Sequence, residues 1–155
     1  MEYRLRRDDL YFLSITDCKS RKTWIRLLRE HTTEIIAKEL DTWMAEIERQ
    51  TGKKLKKVRI DNTPEFRSLE TVWGKPKGIV FEFIEPYRQA QNGVAERLNR
   101  LILEIVRCLL LDMRIPKRYW PWALQTVCYL KNRFFPVRDT SLTPEEIWTG
   151  QKANP

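Results

Sequence analysis

The chain has 155 residues, 42% apolar and 32% charged, with a formal charge of +8 and a pI near 9.6. That length can bury a real core in one domain, and the composition excludes disorder. Every apolar run is broken by Lys, Arg or Glu, and "MEYRLRRDDL" lacks an apolar h-region, so neither a membrane span nor a signal peptide is expected. The basic excess leans toward the C-terminal half, with a further local run, "GKKLKKVR". It points to an acidic partner, nucleic acid first.

Taken in chain order, "LYFLSITD" (Leu10–Asp17) and "KTWIRLLR" (Lys22–Arg29) predict two strands joined by a hairpin link. His31, the sole histidine, reads as a loop residue before a helix and leaves no His-based zinc site or catalytic triad. That helix is capped by Thr32 or Thr33, stopped by Gly52, and buries Ile36, Leu40, Trp43 and Ile47. "LKKVRID" is a short strand with Val58 and Ile60 on one face and Arg59 and Asp61 on the other. Asp61 thus falls at a strand's C-terminal end, followed by the turn-rich "NTPEF", where open α/β sheets place their clefts.

A weak helix is expected over Ser68–Trp73, then a strand in "GIVFEFIEP". The next helix, capped by Asn92, carries Val94, Leu98, Leu101, Ile105 and Leu109 as its apolar stripe and Glu96, Arg100 and Arg107 on another face. "RYWPWALQTVCYLKNR" is a helix with Pro121 in its first turn, read as core packing, and "TPEE" at Thr143–Glu146 has capping-box spacing. Cys18, Cys108 and Cys128 fit no zinc or redox spacing and read as buried, reduced thiols. The order of elements gives an α/β or α+β class, with an antiparallel hairpin, a parallel portion and helices on both faces.

Glu96 stands among Gln91, Asn92, Arg97, Asn99 and Arg100. Alone it reads either as a first-turn acid facing the helix dipole, with Arg100 at i+4, or as a metal ligand in a phosphate-handling site. "RIDNTPEF", "PYRQAQNGVAERLNR", "IPKRYWPWALQTVCYLKNR" and "TPEEIWTGQK" occur here in one order. Together they resemble the integrase catalytic core of copia-type LTR retrotransposons, a branch of the retroviral integrase superfamily. The likeness runs from about Leu10 to the end. It implies an α/β, ribonuclease H-like three-layer fold with a mixed sheet. Residues 10–138 would form the core, 1–9 an unassigned lead and 139–155 an extension.

The resemblance further implies metal-dependent polynucleotidyl transfer, in which Mg2+ or Mn2+ sits between carboxylates and the attacked phosphate. Asp61 matches the family's second acid and Glu96 its third. Asn92, Gly93, Arg97, Asn99 and Arg100 match positions around the site that meet nucleic acid. Implied partners are double-stranded DNA and further copies of the chain, with action in the nucleus. The family's first acid has no match: "YFLSITDCKSRKTWI" resembles its second strand and hairpin, and Asp17 lies 44 positions before Asp61, short for that role. The expectation is a core lacking its first strand and of impaired activity, or else a non-catalytic remnant that binds nucleic acid or itself.

Overall fold

In the computed structural model, which describes residues 11–84 and 89–152 (the backbone alone for 89–95), both early strands form. They span Tyr11–Thr16 (β1) and Thr23–Leu28 (β2); β1 ends one residue earlier than the sequence predicts, and β2 is one residue shorter at both ends. The two strands pair, and their six-residue link is too short for a parallel crossover, so they are an antiparallel hairpin. Asp17 builds the turn: its Oδ2 accepts from the Lys19 N–H at 3.1 Å, the Ser20 N–H at 2.7 Å and the Ser20 hydroxyl at 2.8 Å.

Thr33–Thr51 (α1) has the ends its sequence dictates, with Thr32 accepting from the Ile35 N–H and Gly52 left-handed at φ 67°. Lys57–Ile60 (β3) and Val80–Phe83 (β4) pair in parallel, Lys57 opposite Val80 through Ile60 opposite Phe83. Among the described residues the strands pair two by two rather than in one sheet. Between β3 and β4 the helix starts earlier than expected, at Pro64–Leu69 (α2), and continues through a π turn at Glu70–Gly74 and a 3-10 turn at Lys75–Lys77. Pro64 reads as a turn former. In a helix's first turn, though, its missing N–H costs nothing and its fixed φ suits the helix.

Gln89–Asp112 (α3) also begins earlier than expected, so Asn92 lies inside the helix and is not its cap. Gln89, Ala90 and Gln91 are good helix formers and carry the first turn. The buried stripe is Ile102, Val106 and Leu110, with Leu98, Ile105 and Leu109 beside it, while Leu101 is exposed. The expected stripe runs one position early at Leu101, Ile105 and Leu109, because apolar residues make up more than half of α3 and adjacent stripes both fit the spacing. Cys108 is exposed as well as Cys18, which corrects the reading of buried thiols; Cys128 alone is buried. Trp120–Phe134 (α4) holds Pro121 in its first turn, and Pro144–Thr149 (α5) opens with the Thr143–Glu146 capping box. Among the described residues no helix is long and apolar enough to cross a membrane.

The chain divides into two compact units, Met1–Leu27 with Ala95–Pro155, and Leu28–Val94. In the first, Phe12, Ile25 and Leu27 of the hairpin pack on the α3–α4 core of Ile102, Val106, Leu110, Ala123, Leu124 and Val127. In the second, α1, α2 and the π turn bury Ile36, Leu40, Trp43, Phe66, Leu69 and Trp73. Gly74 is required there, since a Cβ would lie 2.3 Å from the Phe81 ring.

Buried polar groups pin α4 to the hairpin. Asn132 accepts from the Thr23 N–H at 3.0 Å and donates to the Thr23 carbonyl at 2.7 Å, satisfying that residue as a neighbouring strand would. Lys131 Nζ donates to the Arg21 carbonyl and, at 3.0 Å, to the Thr23 hydroxyl. Burial lowers the Lys131 ammonium from 10.5 to about 8 and raises the Cys128 thiol from 9.0 to about 11.

From about pH 8 the folded state releases a Lys131 proton that the unfolded chain keeps, so stability should rise with pH. Above about pH 9 the unfolded thiol ionises while folded Cys128 stays protonated, which offsets the rise. Cys128→Ala should therefore extend the rise toward pH 10.5. Urea midpoints taken at half-unit steps of pH check this. A native profile flat from pH 8 to 9 would contradict the Lys131 environment described here.

Candidate metal and nucleic-acid site

Asp61 directly follows β3 and stands at the C-terminal edge of the β3–β4 pair, exposed to solvent. The loop that carries it is held by its neighbours. Arg67 Nε donates to Asn62 Oδ1 at 2.5 Å, the Thr33 hydroxyl donates to the Glu65 carbonyl at 3.3 Å, and the His31 ring meets Phe66 edge-on at 6.1 Å. Partial burial pushes the Asp61 carboxyl above its usual range, with Glu65 adding to the rise, and the Thr63 N–H and His31 oppose it. A cation bound there would favour the ionised form and reverse the shift.

The sequence presents His31 only as a loop residue before a helix and does not single out Glu65. The one available signal was that Glu65 follows Asp61 by four positions on a segment that proves to be helical.

Glu96 lies two turns into α3 and is exposed. The helix dipole acts within the first turn, so the reading of Glu96 as a first-turn acid does not hold. Arg97 and Arg100 are exposed and Asn99 is half-buried, with Arg100 Nε 4.0 Å from Glu104. Asn92 and Gly93 lie within the α3 backbone, and their surroundings fall outside the described residues.

Asp61 belongs to the Leu28–Val94 unit and Glu96 to the other, so each is positioned by its own unit. Among the described residues no group of three or more His, Cys, Asp or Glu could hold a metal ion. Asp17 is committed to its turn through three hydrogen bonds to one oxygen. The available donors are hard carboxylate oxygens, which suit Mg2+ or Mn2+: Mg2+ keeps several waters and takes one or two carboxylates with substrate phosphates. Zinc, which wants a closed set of N and S ligands in structural sites, does not fit.

No family model matches the chain. It is 39% identical over 145 residues to the Retrovirus-related Pol polyprotein from transposon TNT 1-94 of Nicotiana tabacum, covering 93% of this chain and 11% of that one. The transposon RE2 polyprotein of Arabidopsis thaliana is 31% identical over 127 residues, covering 79% of this chain and 8% of that one. The chain thus spans about a tenth of the length of the curated relatives it matches.

Among solved structures, a chain of the simian T-cell lymphotropic virus intasome in complex with PP2A regulatory subunit B56 gamma is similar. Its TM-score is 0.70 at 15% identity, over 92% of this chain and 49% of that one. The HTLV-2 integrase catalytic core domain in complex with magnesium, in its dimeric form, scores 0.59 at 17% identity, over 89% of this chain and 83% of that one. The fold is therefore that of the retroviral integrase catalytic core, of the ribonuclease H-like kind. Within that class the sequence is similar to a segment of copia-type retrotransposon Pol polyproteins, which supports an integrase core of a retrotransposon.

Proposed function

We propose that the chain acts in DNA integration, binding double-stranded DNA in the nucleus and joining element 3′ ends to target DNA, with Asp61 and Glu96 holding Mg2+ or Mn2+. The observation that carries this reading is Asp61, raised at the C-terminal edge of a parallel strand pair on a loop held from both sides. A divalent ion bound there supplies Lewis-acid activation of the phosphate and a deprotonated oxygen nucleophile. This chain's residues orient the DNA: Arg97 and Arg100 neutralise phosphates beside Glu96, while Asn92, Gly93 and Asn99 flank the substrate path. The HTLV-2 core, solved with magnesium, supports the choice of ion.

Self-association belongs to the same proposal. Tyr119, Trp122, Leu130 and Phe134 are 40%, 39%, 38% and 53% exposed along α4 and its lead-in, an aromatic face suited to a second copy. The dimeric and trimeric forms of the HTLV-2 core support it.

A second reading, a non-catalytic nucleic-acid-binding remnant, is favoured by the commitment of Asp17 to its turn, since residues 11–152 then match two of the family's three acids. The test is a strand-transfer assay with duplexes ending in the long terminal repeat, in Mg2+ or Mn2+ and in chelator. The expected result is weak joining that chelator abolishes, with DNA bound in all conditions. Binding without any joining supports the remnant, and failure to bind duplex DNA overturns both readings.

A further inference from the structure

The β3–β4 pair has two edges, and Asp61 occupies one. At the other, Gly52 turns the chain out of α1 into a short connecting segment in which Lys53, Lys54 and Lys56 are exposed and Leu55 is half-buried. The Val80 N–H donates to the Lys56 carbonyl at 2.9 Å, which lays the start of β4 alongside; the turn leading into it carries Lys75 and Lys77, both exposed, the Lys77 ammonium standing against Asp41 of α1. Lys57 and Arg59 continue the basic surface onto β3.

Three acids answer these seven cations. Glu48 pairs with Lys54 at 2.6 Å, Glu82 with Lys57 at 2.7 Å and Arg59 at 3.1 Å, and Asp41 with Lys77 at 3.3 Å. Lys53, Lys56 and Lys75 make no ion pair among the described residues. Exposed like charges repel one another and contribute nothing to the unit's stability.

We propose that this edge is a polyanion-binding surface, separate from the acids, that takes the phosphate backbone of double-stranded DNA. The charges come from two segments and are spread over exposed residues, which suits a phosphate lattice better than a single anion. They are mostly lysines, compact point charges on flexible stems that meet phosphates without demanding one geometry.

The run Lys53-Lys54-Leu55-Lys56 would also serve a protein adaptor that reads linear basic signals. Here, however, the Leu55 N–H donates to Glu48 Oε1 at 3.0 Å and the Lys56 carbonyl accepts from Val80, so the backbone is held by the fold. Lys75 and Lys77 would be idle in such a complex. This inference does not depend on Asp61 or Glu96 acting in catalysis.

The experiment measures anisotropy of a fluorescent 30-bp duplex in chelator across a salt series, for the native chain and Lys53→Glu/Lys56→Glu/Lys75→Glu. Loss of three phosphate contacts should make the slope of log K against log salt shallower by about 2.7 and weaken binding at least tenfold at low salt. The Lys→Arg triple should bind as the native chain does. A Lys→Gln triple, read beside far-UV circular dichroism, replaces the reversal should that variant fail to fold. Unchanged slope and affinity overturn the proposal. So does intact DNA binding with selective loss of an acidic-groove import adaptor, which would assign the edge to a linear signal.

Discussion

Trp73→Ala is expected to unfold the Leu28–Val94 unit at ordinary temperature. The side chain is 2% exposed, its ring meets Phe81 edge-on at 6.2 Å, and its Nε1 donates to Asp41 at 2.7 Å. Truncating a buried tryptophan costs about 3–5 kcal/mol. Domains carry only about 0.05–0.15 kcal/mol of stability per residue, so a unit of this size has about 3–10 kcal/mol in all, and the truncation removes a large share of it. Trp73→Phe should cost less, because a ring is kept against Phe81, although the hydrogen bond to Asp41 and part of the buried volume are lost. Urea unfolding followed by near-ultraviolet circular dichroism decides it. A loss below about 1 kcal/mol for the alanine variant would mean that this core is wrongly described.

The second large effect is on the metal. Glu96→Gln keeps the size of the side chain and one acceptor oxygen and removes the charge, so folding and chelator-insensitive DNA binding should be unchanged. Metal-dependent joining should fall by more than about a hundredfold, since even residues that only orient a metal's ligands cost 10–100-fold when replaced. A readout without catalysis is the thermal midpoint with and without Mg2+. A ligand at a hundred times its Kd adds about 2.7 kcal/mol, and both Glu96→Gln and Asp61→Asn should lose that gain. Should Glu96→Gln unfold the chain, the carboxylate belongs to the architecture and the assignment fails. If both variants keep the metal-induced shift, the ion sits elsewhere.

Local chemistry decided how much of this was legible. The ends of α1 were readable because Thr32 and Gly52 are strong cap residues, and its stripe because Ile36, Leu40, Trp43 and Ile47 keep helical spacing with nothing competing. The start of α2 was not, since Pro64 serves a turn and a helix's first position equally well. The start of α3 was missed because Asn92 is a good cap whose competitors, three unremarkable helix formers, carry no signal of their own. Asp61 at its strand end and Glu96 among polar groups are candidates from the residues themselves, but only the family likeness pairs them; no spacing rule joins a strand end to a position two turns into a helix.

The committed turn at Asp17 could have been suspected from Asp-Cys-Lys-Ser, in which an acid precedes a serine by three positions, a common turn arrangement. Lys131 and Asn132 were hidden because charge and amide normally face water. Their position three and four residues after Cys128, on the covered face of α4, was the only hint.

The unit built from Met1–Leu27 and Ala95–Pro155 is interrupted in sequence by the other. On the ribosome, the hairpin emerges long before α3 and α4, against which Phe12, Ile25 and Leu27 are buried. A lone two-stranded hairpin is marginal in water. At about 5–20 residues per second, its greasy side waits roughly 5–20 seconds for the roughly hundred residues that reach to α4. The inserted unit, continuous in sequence, can fold meanwhile. Synthesis therefore leaves a nascent chain with one finished piece and one sticky ribbon, a natural target for chaperones and a point at which self-aggregation competes with maturation.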